Sequence, residues 1–234
     1  AHLLDEIRQA FMEGNQEKAE MLTRQNFNSE VSYDADGEIP FRFGSFTTMG
    51  EFYVETGLNI IGMSDYKRIL SLDSAMAVVQ FKKDHVVYQR NYFISYPANV
   101  MVMRFSADQP GKQNLVFSYA PNPVSTGNMA SDGNKGLVYS ASLDNNGMKY
   151  VVRIQAETKG GTLFNADGKL TVKGADEVVF YITADTDYKP NFDPDFKDPK
   201  TYVGVNPEET TKEWMNNAVS QGYTALFSQH YNDY

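Results

Sequence analysis

The run from Tyr66 to Asp108, YKRILSLDSAMAVVQFKKDHVVYQRNYFISYPANVMVMRFSAD, most constrains what this chain can fold into. Its apolar and β-branched residues recur with a period near two, and short polar turns interrupt them, as in core-forming strands. The period-two pattern begins at Phe41–Phe43 and continues through Glu51–Val54, Tyr66–Leu70, Ala77–Phe81, His85–Tyr96, Val100–Ser106 and Asn114–Tyr119. It resumes at Gly136–Leu143, Met148–Glu157, Lys169–Lys173 and Glu177–Ala184. Between these strands stand Asp36-Gly37, Asp132-Gly133, Asn146-Gly147, Gly160-Gly161 and Asp167-Gly168, dipeptides that accept the positive φ of tight turns. There is no βαβ spacing and no internal repeat, so the pattern predicts a mostly β chain folded as an antiparallel sandwich.

Helical spacing frames the β region. Leu3, Leu4, Ile7, Ala10 and Phe11 fall on one face of a helix within residues 2–24. Gly14-Asn15 breaks that helix, and Ala19 and Leu22 face inward in the second part. Towards the other end, DTDYKPNFDPDFKDPKTYVGVNP (185–207) has prolines and no periodicity, which marks a loop or linker. A helix then opens at Pro207, with Asn206 as its N-cap, and runs through Ala218 with Trp214 and Val219 inward. Tyr223–Tyr231 reads as a further helix.

Composition narrows the function. The 234 residues contain no cysteine, which excludes a disulfide framework and Cys-based metal sites. The dispersed net charge of −9 argues against nucleic acid as a partner and suits neutral ligands such as sugars. No apolar run approaches the ~20 residues of a membrane helix, so no membrane span is expected. The chain opens inside a helical pattern without an initiator Met or a signal-peptide pattern, and ends inside another. It is expected to be a piece of a longer protein.

No constellation nominates a catalytic centre. Glycosidic cleavage needs two flanking carboxyl groups, but no spacing here selects a pair. Glu51 and Glu55 share one face of a strand and read as a solvent-facing row. Asp185, Asp187, Asp193, Asp195 and Asp198 offer oxygen ligands for calcium, but their spacing matches no EF-hand loop and reads as a solvated run. DADGE at 34–38 reads as a hairpin turn. His2, His85 and His230 are too scattered for a metal cluster, and His85 reads as an exposed turn residue. No metal and no cofactor is therefore expected. There is no G-x-S-x-G elbow, P-loop or G-x-G-x-x-G. The many Tyr and Phe residues read as core fillers, with a sugar-stacking platform as the alternative.

Several segments resemble a known family. Tyr66, Arg68, Leu70, Leu72, Asp73, Ala75 and Val78, in YKRILSLDSAMAVVQF, resemble the Y-x-R-x-L-D-L-x-x-A pattern in the N-terminal domain of glycoside hydrolase family 95, the α-L-fucosidases with a catalytic (α/α)6 barrel. Arg90, Phe93, Ser95, Pro97, Val100, Arg104, Ala107 and Asp108 fall in register with the next signature of that family. EIRQAFMEGNQEKAEML resembles the helical hairpin before the sandwich, and KYVVRIQAETKGGTL and GKLTVKGADEVVFYITADTDYK its last strands. PEETTKEWMNNAVSQGYTALFSQHYNDY resembles the linker to the barrel.

The resemblance implies a super-β-sandwich with helices before it and a helical linker after it. The implied domains are a helical hairpin at 1–30, the sandwich at 31–188, and a Pro/Asp-rich loop with helical linker at 189–234 leading towards an absent barrel. The first strands of the family pattern are also absent here. The implied parent is an inverting α-L-fucosidase of fucosylated glycans, periplasmic or extracellular. Its barrel holds the catalytic groups, so none is carried by this chain, and the implied partners are that barrel and an oligosaccharide. TTMGEFYV at 47–54 resembles the family's Q-P-L-G-D-L-Y-L, with Thr47, Thr48 and Glu51 replacing Gln, Pro and Asp. Thr47, Thr48, Met49, Gly50 and Glu51 are accordingly the candidate wall of the sugar pocket, and their departures leave α-L-galactosides as an alternative substrate. The rival readings are a carbohydrate-binding module and a structural or interaction domain of a surface protein.

Overall fold

The structure, a computed structural model, describes residues 2–27, 47–144, 146–195, 197–198 and 200–234. The expected strand Phe41–Phe43 and the turn in DADGE lie outside the described residues. The chain divides into two compact units, Ala1–Phe46 and Thr47–Tyr234.

The first unit contains α1 (His2–Met12) and α2 (Gln16–Phe27). Gly14 takes φ 74°, as a helix-ending residue without a Cβ can. Asn15 starts α2 by accepting a hydrogen bond from Lys18 N at 3.1 Å. Ile7, Ala10 and Ala19 are buried together with Leu22 against them, whereas Leu4 and Phe11 are exposed. The buried stripe is therefore narrower than the sequence spacing suggests.

The second unit is a two-sheet antiparallel sandwich. Its strands are β1 (Gly50–Glu55), β2 (Ser64–Ser71), β3 (Met76–Lys83), β4 (Val86–Ser95), β5 (Val100–Ala107) and β6 (Gln113–Pro121). They continue with β7 (Ser125–Ser131), β8 (Gly136–Leu143), β9 (Lys149–Lys159), β10 (Thr162–Ala166), β11 (Lys169–Ala175) and β12 (Glu177–Thr186). One sheet has the order β1-β6-β11-β10, the other β2-β3-β4-β5-β12-β9-β8-β7. The expected Gly turns join β7 to β8, β8 to β9, β9 to β10 and β10 to β11, with positive φ at Gly133, Gly147, Gly160, Gly161 and Gly168. The β3–β4 turn uses Asp84 and exposed His85, both at positive φ.

Between the sheets lies the main core. Phe105, Phe117 and Phe180 meet at its centre, with Phe117 stacked on Phe180 at 4.5 Å and Phe105 edge-on to it at 5.9 Å. The outer face of the larger sheet is covered by α3 (Pro207–Asp233). Asn206 caps α3 by accepting from Glu208 N at 3.1 Å, and Pro207 occupies its start. Thr211, Met215 and Ala218 form its buried stripe, leaving Trp214 and Val219 half-buried at the flanks. The predicted inward pair is thus offset by about one residue from the real one. Gly222 kinks the helix at φ 72°, ψ 171°, a conformation restricted to glycine. The kink lets the second half, with Leu226 and His230 buried, pack over Phe93 of β4.

Three features depart from the sequence pattern. Strands β7 and β10 were not expected; both are edge strands of mostly small or polar residues, STGNMAS and TLFNA, which give no strong alternation. Strand β2, expected in the core, is exposed along seven of its eight residues. It is an edge strand, and its pairing with β3 is interrupted by a register shift between Ser64 and Lys67.

Candidate functional site

The segment Thr47–Glu51 enters β1 at one end of the sandwich, where Gly50 pairs with Pro121 of β6. Two side chains from the end of β6 pin it. Asn122, 3% exposed, donates through Nδ2 to Thr47 Oγ1 at 2.7 Å and to the Thr48 carbonyl. Both protons of the amide are used, and its Oδ1 accepts from Val124 N at 2.9 Å. Tyr119 donates its hydroxyl to the Met49 carbonyl. Gly50 is forced: it takes φ 143°, and a Cβ there would stand 2.5 Å from the Ala120 carbonyl and 2.6 Å from the Tyr119 ring.

A buried hydroxyl chain backs this clamp. Ser125 donates to the Asn122 carbonyl at 2.6 Å, which leaves its oxygen to accept from the Tyr150 hydroxyl at 2.7 Å. Tyr119, Tyr139 and Tyr150 follow one another at ring separations of 5.5 and 5.9 Å. Burial, reinforced by neighbouring Tyr150, pushes the Tyr119 hydroxyl far above its usual range. It acts as a neutral donor.

The clamp holds the backbone and turns the side chains outward. Thr47, Thr48, Met49 and Glu51 are exposed, and Gly50 is half-buried. Glu51, Tyr53 and Glu55 share the outward face of β1, with Phe52 and Val54 inward. Tyr53 donates to the Glu51 carboxylate, which raises the Tyr53 pKa. The five candidate residues are thus contiguous and presented to solvent. Asn122 and Tyr119 went unnoticed in the sequence; Asn122 sits between Pro121 and Pro123, and that Pro-Asn-Pro step was the available signal of a rigid polar turn.

The remaining charged clusters tie elements together. Arg153, with its side chain 7% exposed, reaches Asp132 at 2.5 Å and Glu208 at 3.2 Å, fixing the start of α3 to β9. Glu208 also accepts from Ser140. Arg104 pairs with Glu177 and lies 4.8 Å from the Tyr223 ring just beyond the α3 kink. The hydrogen bond to Glu177 is the main cause that raises the Arg104 pKa. Tyr181 donates to Glu157 at 2.9 Å. Arg90 stacks over Phe81 and Phe105, and Asp108 accepts from Val87 N at 2.9 Å. His230 stacks on Phe93 and approaches the carbonyls of Ser74 and Ala75 at 3.0 and 3.3 Å. Among the described residues, no group of three or more His, Asp or Glu side chains is placed to hold a metal.

A family model described as "Glycosyl hydrolase family 65, N-terminal domain" matches residues 1–191. It is family 65, and not the family 95 that the motifs resemble, that supplies the match. "Probable alpha-fucosidase A" of Aspergillus niger is 29% identical over 85% of this chain and 25% of its own length. "Alpha-L-fucosidase 2" of Arabidopsis thaliana is 24% identical over 73% of this chain and 22% of its own length. The chain therefore spans about a quarter of the length of the curated relatives it matches. A solved structure, "Putative kojibiose phosphorylase from human microbiome", aligns over 78% of this chain and 27% of its own, with a TM-score of 0.52 and 11% identity, a likeness of fold.

Proposed function

Because this chain belongs to the family of glycosyl hydrolase family 65 N-terminal domains, we propose that it is the non-catalytic β-sandwich of a longer glycoside hydrolase that acts on terminal α-L-fucosyl linkages. The observation that carries this reading is the family match over 1–191, joined to relatives named as fucosidases whose matched region is only about a quarter of their length. The charged and aromatic clusters described above support it, because each is engaged in holding a strand or α3 in place. On this reading an inverting pair of carboxyl groups sits in a separate (α/α)6 barrel, and the parent works in the periplasm or outside the cell.

The sandwich's own contribution is the wall segment Thr47–Glu51. Its backbone is fixed by Asn122 and Tyr119, and its side chains are free to face a neighbouring pocket. Thr47, Thr48 and Glu51 differ from the residues of the resembling motif, so the choice between α-L-fucosides and α-L-galactosides is the property they would set. The test is expression of the longer reading frame and assay with paired aryl α-L-fucoside and α-L-galactoside. The reading predicts turnover of at least one, with a ratio that shifts in Thr48→Pro and Glu51→Asp variants. Turnover of neither sinks the substrate assignment; an unchanged ratio in both variants sinks the wall.

A further inference from the structure

A small cavity lies between the two sheets at the end of β1 away from the Thr47 clamp. Gly50, at the start of β1, pairs with Pro121, whereas Glu55, at its end, pairs with Val116 near the start of β6. Thr56 follows Glu55 into the cavity lining, with Tyr88 and Arg90 of β4, Ser106 of β5, and Lys112 and Gln113 where β6 begins. The cavity volume is about 10 Å³, room for one occupant the size of a water molecule.

The lining is rich in donors and in positive charge. Gln113 is 5% exposed, and its amide nitrogen Nε2 is buried without a partner in the protein. The Arg90 guanidinium lies 5.1 Å from the Phe81 ring and 5.7 Å from the Phe105 ring. Among the described residues, neither Arg90 nor Lys112 forms an ion pair. No Asp or Glu lines the cavity, although the chain carries a net charge of −9. Asp84 and Asp108 bear on Tyr88, but Asp84 pairs with Lys83 at 3.2 Å and Asp108 accepts from Val87 N at 2.9 Å. Burial, ahead of those two charges, raises the Tyr88 pKa, so its hydroxyl stays a neutral donor. A water molecule satisfies Gln113 but gives Arg90 no counter-charge, and a cation held between sheets without one is costly. A polyatomic oxyanion is too large for the volume. A monatomic anion accepts from Gln113, neutralises Arg90 and fits.

We propose that this cavity is a halide site that takes chloride, with Gln113 Nε2 and the Arg90 guanidinium as its main donors and Lys112 adding charge. The ion ties β4 and β5 of the larger sheet to the adjoining ends of β1 and β6 of the smaller one, so chloride stabilises the sandwich by mass action. No residue of the wall segment takes part, so the inference stands independently of the substrate reading.

Thermal unfolding of the 234-residue chain in sodium chloride, against sodium gluconate at equal ionic strength, tests this. Chloride is expected to raise the Tm by about 2–4 °C. Gln113→Met keeps the side-chain volume but removes the donor; it should weaken chloride binding about tenfold and abolish most of the rise. Lys112→Ala, at an exposed position, should weaken it less. No rise in the unsubstituted chain overturns the proposal. So does an equal rise in Gln113→Met, which assigns the effect to salt in general. Crystals grown in sodium bromide give a readout that needs no variant: an anomalous peak in contact with Gln113 and Arg90 is expected. A water at that position without anomalous signal, or bromide bound only elsewhere on the surface, overturns the site.

Discussion

Strands β2 and β12 belong to one sheet and both carry runs of large apolar residues, yet their surroundings are opposite. In β12 six consecutive residues are buried. Phe180 and Ile182 enter the inter-sheet core, and Val179 and Tyr181 lie under α3. In β2, Tyr66, Ile69 and Leu70 are each at least half exposed. Period-two chemistry thus specifies a strand but not its cover. β12 is covered on both faces; β2 presents the same residue types to solvent.

The largest expected contrast is in stability. Phe180→Ala removes a fully buried ring from the centre of the core and should cost about 3–5 kcal/mol, whereas Leu70→Ala should stay within about 0.5 kcal/mol. Urea unfolding of the two variants checks this, and similar midpoints would show that β2 and β12 are equally buried in solution. Next comes the fastening of α3. Arg153→Ala strips the partner from Asp132 and Glu208; because those carboxylates are partly solvated, the loss should be about 1–3 kcal/mol, below that for a fully buried pair. A loss no larger than that of Leu70→Ala would show that α3 is held by its apolar stripe alone. Asn122→Ala should cost about 1 kcal/mol and speed amide exchange of the segment around Thr48, with β12 unchanged. Slow exchange retained in that segment would remove Asn122 from its clamping role.

The last effect, flat at neutral pH and appearing only above pH 10, concerns the buried tyrosines. Burial raises the pKa of Tyr119 and Tyr181 above the ordinary value of 10.0. Their folded pKa values exceed the unfolded ones, so their contribution is complete below pH 10 and is lost as pH rises above it. Tyrosinate absorbance should therefore show a late fraction that appears together with loss of the β circular-dichroism signal. Smooth titration of every tyrosine near pH 10 in a folded chain would contradict this.

Most of the sandwich was legible in the sequence because alternation and Gly turns state it locally. Strands β7 and β10 were hidden because edge strands of small and polar residues need no alternation. The Gly222 kink was visible only as a gap between two helical patterns; that it is one helix bent over Phe93 depends on packing across the sheet. The Tyr66–Asp108 motif pointed to a family through residues whose work is structural: Arg90 over two rings, Arg104 on Glu177, Asp108 on a strand amide. The candidate wall was named from its resemblance to a motif, but its clamp was not, because Asn122 and Tyr119 lie about seventy residues away in sequence.

On the proposed reading, the groups that cleave the glycosidic bond lie outside this chain. Prolonged incubation of the purified 234-residue chain with an aryl α-L-fucoside, beside the longer polypeptide at equal molarity, tests it most directly. Turnover by the longer polypeptide and none by the shorter chain is the expected result. Turnover by the shorter chain that persists through repeated purification would contradict it.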